Sequence, residues 1–163
     1  MKKILFILMF PVLCFGQTAD EFYNSALDKD NLKDYNGAIA DFTKAIELNP
    51  DDADTYYNRG TTKAKLKDYN GAIADFTKAI SLKPFANCYV NRGHCKADLE
   101  DYNGAIADFT KAIELNPNDE SAYYQRGGAK IFTNESACPD MKKACELGSE
   151  LGCKFSEKFC TSK

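Results

Sequence analysis

The chain has 163 residues, 44% of them hydrophobic, with 21 lysines and arginines against 24 aspartates and glutamates, one histidine, seven cysteines and a formal charge of −3. Its charges are interspersed rather than clustered, which excludes the basic patch that a polyanion such as nucleic acid needs. The single histidine and the absence of a Gly-rich phosphate loop leave no nucleophile with a base and an orienting acid at a recognisable spacing, so neither catalysis nor a cofactor is expected.

The chain opens on Lys2 and Lys3, followed by an apolar run over residues 4–15 that is broken by Pro11 and closed by Gly16. This pattern predicts a secretory signal peptide over residues 1–16. A dozen apolar residues fall short of the ~20 that span a bilayer, and Leu13 stands where a lipid anchor on Cys14 would need a small residue. The expected mature protein is exported, periplasmic or extracellular, with no stable membrane insertion.

From residue 19 onward the chain repeats itself. DYNGAIADFTKAIELNP occupies residues 34–50 and 101–117, and residues 68–84 repeat it with two changes, Ser81 and Lys83. The copies start at Asp34, Asp68 and Asp101, a step of 34 and then 33 residues, which suits a unit of two short helices. The units are expected at about 19–50, 51–84 and 85–117, with a degenerate fourth over 118–148.

The second helix of each unit is marked by an apolar stripe at helical spacing: Ala38, Ile39, Phe42, Ala45 and Ile46, then Ala72, Ile73, Phe76, Ala79 and Ile80, then Ala105, Ile106, Phe109, Ala112 and Ile113. The pairs Asp41 and Lys44, Asp75 and Lys78, Asp108 and Lys111 lie three residues apart and are expected on the solvated side. Asp34 or Asn36 suits the start of the helix, and Pro50, Pro84 and Pro117 suit its end.

The first helices are predicted over 21–32, 55–66, 88–99 and 122–132. Phe22, Tyr56, Tyr89 and Tyr123 supply a bulky anchor, and Ala26, Gly60, Gly93 and Gly127 a small residue four positions later that lets two helices cross closely. The one-residue shortening falls in PFANCY, a turn between units, where a deletion is tolerated.

Beyond the repeats, residues 149–163 carry Leu151, Phe155 and Phe159 at four-residue spacing and read as a helix and tail that cap the open end. With Cys14 removed, six cysteines remain, in a compartment that permits disulfides. Cys88–Cys95, Cys138–Cys145 and Cys153–Cys160 are each seven apart, about 10.5 Å along a helix, beyond the ~7 Å reach of bridged Cα atoms. The later four are symmetric about residue 149, where Gly148-Ser149 suits a stop and restart between antiparallel helices. Facing helices then place Cys138 opposite Cys160 and Cys145 opposite Cys153, the expected disulfides; the alternative is four small buried thiols. Cys88 and Cys95 are expected to be free. His94 beside Cys95 does not make a metal site, because adjacent residues on a helix point about 100° apart.

Tyr56, Gly60, Ala72, Phe76, Ala79 and the closing Pro84 together resemble the tetratricopeptide repeat. The resemblance implies an all-α, right-handed superhelical solenoid of antiparallel helix pairs, whose first helices line a concave groove, and a non-enzymatic function of binding a protein or an extended peptide. It places Tyr23 and Leu27, Tyr57, Asn58 and Thr61, Val90, Asn91 and His94, and Tyr124, Gln125 and Phe132 on that groove. Aromatic and amide side chains suit an extended peptide, the rings supplying area and the amides bonding its backbone. The family's clamp for a C-terminal carboxylate needs groove lysines and an arginine that this chain lacks. Arg59, Arg92 and Arg126 precede the glycines, so their stems are expected on packing surface with the heads in solvent. A thiol-based redox or stress-responsive protein is the alternative function, weakened by the absence of a Cys-x-x-Cys pair.

Overall fold

The computed structural model describes residues 17–160, so the expected signal peptide lies outside the described residues. These residues form nine helices: α1 Ala19–Asn31, α2 Tyr35–Leu48, α3 Ala53–Lys65, α4 Tyr69–Leu82, α5 Ala86–Asp98, α6 Tyr102–Leu115, α7 Glu120–Phe132, α8 Cys138–Glu146 and α9 Glu150–Phe159. Each helix packs mainly on its neighbours in sequence, the contact pattern of a helical solenoid.

Local chemistry sets the helix ends. Thr18 and Glu21 form a reciprocal capping box on α1. Asp34, Asp68 and Asp101 accept the amides of Gly37, Gly71 and Gly104 at the starts of α2, α4 and α6. α5 alone among the first helices of the repeats starts without a side-chain cap, because the shortened turn puts Phe85 where Asp52 caps α3. The Phe85 ring instead packs edge-on against Tyr57 at 5.2 Å. At the other ends, Lys33 and Lys67 take left-handed φ of 63° and 62°, and the next amide reaches back to the Lys29 and Lys63 carbonyls. That is a six-to-one closure usually made with glycine, and the lysines gave no sign of it.

Phe42, Phe76 and Phe109 are fully buried, each beneath the small residue of its unit's first helix. A Cβ on Gly93 would stand 2.9 Å from Phe109 Cε1, and one on Gly60 would stand 3.0 Å from Phe76 Cε1. The expected close crossing is therefore present.

Two expectations about charge are corrected. Asp41, Asp75 and Asp108 are buried rather than solvated, and the heads of Arg59, Arg92 and Arg126 do not reach freely into water. Arg59 Nε and Nη2 donate to both oxygens of Asp75 at 2.9 and 2.7 Å, and Lys63 reaches the same carboxylate at 2.7 Å. Arg92 and Lys96 treat Asp108 in the same way, as do Arg126 and Lys130 with Asp140. The remaining Nη1 of each arginine bonds the hydroxyl of Thr43, Thr77 or Thr110 in the preceding unit. The planar fork thus ties one unit internally and to its neighbour. In the first unit Ser25 and Lys29 serve Asp41 in place of an arginine. Of the expected i,i+3 pairs, Lys44 with Asp41 persists at 4.0 Å.

The expectation for the C-terminal helix is corrected as well. Leu151 and Phe159 are 57% and 60% exposed, so the apolar stripe of α9 is not what seats it. Gly152 is buried instead, its added Cβ only 2.9 Å from Ala144 Cβ and 3.0 Å from the Cys145 nitrogen. Gly148 turns the chain at φ 106°, and Ser149 caps α9 by accepting the Gly152 amide. In this arrangement Cys138 and Cys160 have Cα atoms 5.5 Å apart, Cys145 and Cys153 4.5 Å apart, and both pairs have sulfurs at disulfide distance. Cys88 and Cys95 are buried and unbridged.

Candidate functional site

The residues expected on the groove belong to the first helices of the four units, α1, α3, α5 and α7, of which α3 and α5 touch directly. Those residues divide into two groups. Tyr23, Tyr57 and Asn58 serve mostly in packing. The Tyr23 ring meets Phe42 edge-on at 5.8 Å, and its hydroxyl accepts from Asn58 Nδ2 at 2.9 Å. The same amide nitrogen also donates to the Asp54 carbonyl. Tyr57 packs on Phe76 and Phe85, and its hydroxyl accepts from Asn91 Nδ2 at 3.2 Å. An amide-to-phenol bond thus joins the second unit to the first and the third to the second. It stops at the third unit, where Val90 replaces the tyrosine. Leu27 packs with Ala26 and Phe42, and Val90 with Phe109 and Ile113.

The second group lines open clefts. One, of about 440 Å³ between the second and third units, is lined by Thr61, Lys65, Tyr69, Asn91, His94 and Asp98, among others. The Thr61 hydroxyl donates back to the Tyr57 carbonyl within its helix. His94 meets Phe109 edge-on at 5.4 Å; burial pulls its pKa down against the raising effect of Asp98, so it is neutral near pH 7. Burial first, and then the Asp98 carboxylate, push the Tyr69 phenol up.

The other cleft, of about 290 Å³, lies towards the C-terminal end and is walled by Tyr102, Tyr124, Gln125, Phe132, Met141 and Phe155 among its residues. Phe132 stacks on Tyr102 with centroids 4.4 Å apart and planes 7° from parallel, yet it remains 66% exposed. Burying such a ring is worth about 1.5–3 kcal/mol, so an exposed stacked aromatic is a ready contact for a ligand.

Thr61, Asn91 and His94 therefore meet in one cleft, and Tyr124, Gln125 and Phe132 in the other, while Tyr23, Leu27, Tyr57, Asn58 and Val90 line neither. Sequence reasoning missed Tyr69 and Tyr102, each the first residue of a second helix. Their recurrence in the DYNGAI repeat was the available signal. It also did not single out Phe155, half-buried on α9, for the cleft that it lines.

Burial pushes the Cys88 thiol up to about 12 and the Cys95 thiol up to about 11, so neither is a thiolate at neutral pH. Among the described residues no group of three His, Cys, Asp or Glu side chains is placed to hold a metal ion, and no helix is long and apolar enough to cross a membrane.

The family model described as tetratricopeptide repeat matches residues 53–85 and 86–119, and a second, described as TPR repeat, matches residues 32–67. No curated protein matches the chain. Among solved structures, a crystal structure of MamA superposes with a TM-score of 0.78 at 24% identity, covering 83% of this chain and 81% of that one. The TPR domain of Arabidopsis OM64 gives a TM-score of 0.67 at 27% identity, covering 70% and 95%. The first TPR of Spaghetti (RPAP3), bound to the HSP90 peptide SRMEEVD, gives 0.70 at 22% identity, covering 73% and 95%.

Proposed function

The chain belongs to the tetratricopeptide-repeat family, and from that premise we propose that it is an exported, non-enzymatic scaffold that holds an extended peptide or protein segment in its groove. The observation that carries this reading is the open aromatic cleft around Phe132, where Tyr124 and Phe132 offer ring area beside the Gln125 amide. The RPAP3 domain, similar in fold, is described with a peptide bound. Export is supported by the signal-like residues 1–16 and by two cysteine pairs at disulfide distance. The thiol-redox alternative is disfavoured, since the two unbridged cysteines are buried and protonated.

Residues 57 and 58 are poor choices for a test, because their side chains stabilise the fold. Tyr124→Ala combined with Phe132→Ala is cleaner. Compared with the unaltered chain in capture of partners from the native host's secreted fraction, this variant should bind about 1–3 kcal/mol more weakly, as loss of an aromatic hot spot does, with unchanged circular dichroism. Equal recovery of the same partner would move the interaction off the groove and reject the reading.

A further inference from the structure

We propose that Asn36, Asn70 and Asn103 are sites of spontaneous deamidation which the folded repeats hold shut, with Asp34, Asp68 and Asp101 as the latches, whatever the groove binds.

An asparagine that precedes a glycine can react with its own backbone. The glycine nitrogen, once it has given its proton to solvent, attacks the side-chain Cγ of the asparagine. A C–N bond forms, a five-membered succinimide closes, and the side-chain nitrogen leaves as ammonia, taking a proton back from solvent. Water then adds to one of the two ring carbonyls and breaks its bond to the ring nitrogen, which yields aspartate or isoaspartate. The net exchange is one water taken up for one ammonia released, with no oxidant or cofactor. Glycine favours the step because no Cβ shields its nitrogen. This chain has three Asn-Gly steps, all at the same place in the repeat.

The structure shows what restrains them. Asn36, Asn70 and Asn103 are exposed, so water and base reach them freely. Each is the second residue of its helix, α2, α4 or α6, and so has helical backbone angles. The ring closes only when ψ of the asparagine turns well away from the helical value, so the first turn must open before the nitrogen can reach Cγ. The attacking nitrogen is also occupied: Gly37, Gly71 and Gly104 donate their amides to the side chains of Asp34, Asp68 and Asp101 at 3.0, 3.0 and 2.9 Å. In the first turn of a helix such amides have no carbonyl partner, so the aspartate is the bond that holds them. That cap in turn needs glycine, because a Cβ at each of the three would stand 2.1 Å from the aspartate Oδ2. The residue that lets the cap close is the one that makes the step reactive.

Opening a latch reaches the clefts. Tyr69 and Tyr102 immediately precede two of the asparagines and line the 440 and 290 Å³ clefts, and Tyr102 carries the stacked Phe132 ring. Isoaspartate adds a methylene to the backbone, so the first turn of the helix cannot re-form around that tyrosine.

The test ages the full chain at mildly alkaline pH and maps its peptides by mass spectrometry, scoring the three asparagines separately and verifying isoaspartate by enzymatic methylation. All three should convert at least tenfold faster in guanidinium-unfolded chain than in folded chain. Asp101→Ala should speed conversion of Asn103 about fivefold and leave Asn36 and Asn70, the controls in the same molecule, at their original rates. Asp101→Ser, whose hydroxyl can still accept the Gly104 amide, should keep Asn103 near its original rate. Folded and unfolded chain converting alike would overturn the inference, and so would an unfolded chain that does not convert. An unchanged rate at Asn103 in Asp101→Ala, or acceleration of all three sites, would mean that the fold as a whole protects them, and slower conversion would make the carboxylate a base. Each of these results removes Asp101 as the latch.

Discussion

Asp108 accepts two hydrogen bonds from Arg92 and one from Lys96 while its side chain is only 5% exposed, and the guanidinium extends the link to Thr77 of the preceding unit. Removing the carboxylate leaves two half-buried cations facing each other. Asp108→Ala is therefore expected to destabilise the chain by about 3–5 kcal/mol, the usual result of breaking a buried pair from one side, as read from urea unfolding; a loss within 1 kcal/mol would mean that water already screens the pair. The pH dependence has a defined sign. Burial would raise the carboxyls of Asp41 and Asp140, but hydrogen bonds from Lys29 and Ser25, and from Arg126 and Lys130, outweigh it and hold both below the ordinary value. A depressed folded value means that this stability is complete above the unfolded pKa of about 3.9 and drains as pH falls below it. Acid unfolding should therefore begin under about pH 4, and Arg126→Met should move its midpoint upward.

At the scale of the helix, small residues decide which pairs meet. Gly93 and Gly128 both lie inside helices of equivalent type, but an added Cβ at 93 would strike the buried Phe109 ring, and at 128 it would meet nothing within 4 Å. Gly93→Ala is expected to lower stability by about 1–3 kcal/mol through overpacking, whereas Gly128→Ala should raise it by about 0.5–1 kcal/mol through helix propensity. Thermal melts of the two variants should move in opposite directions, and a shared direction would contradict the packing described. The apolar stripes and the Tyr56–Gly60 spacing made these helices legible, because a buried face repeats along one helix and periodicity reports it directly. The Arg59–Asp75 pair was not legible in that way. Its members are 16 residues apart, on different helices, and each taken alone has the pattern of a solvated charge. The groove residues meet a related limit: position on the face groups Tyr57 with the others, but only Asn91 of the third unit and Phe85 of the shortened turn show that its ring and hydroxyl already have partners.

For the molecule as a whole, an array in which each unit touches only its neighbours must be closed at its ends, and here the C-terminal closure is covalent in geometry as well as packed. A link between residues 22 apart, as for Cys138–Cys160, contributes about 3 kcal/mol in the chain-entropy model. The nested Cys145–Cys153 link adds less than its separate value, because the outer bridge already restricts the same loop. Leu151 and Phe159 of α9 lie largely in water, so packing holds that helix through Gly152 and the half-buried Phe155 rather than through its whole apolar stripe. Reduction of the full chain should therefore speed amide hydrogen exchange throughout α8 and α9 by at least tenfold and leave α3 to α6 nearly unchanged. Non-reducing peptide mapping of secreted protein should recover Cys138 with Cys160 and Cys145 with Cys153, with Cys88 and Cys95 alkylated only after unfolding. Any link from Cys88 or Cys95 to the C-terminal four would contradict this arrangement. Uniform acceleration of exchange along the whole chain would instead mean that the repeats unfold as one unit, and that the cap stabilises all of them rather than the end it covers.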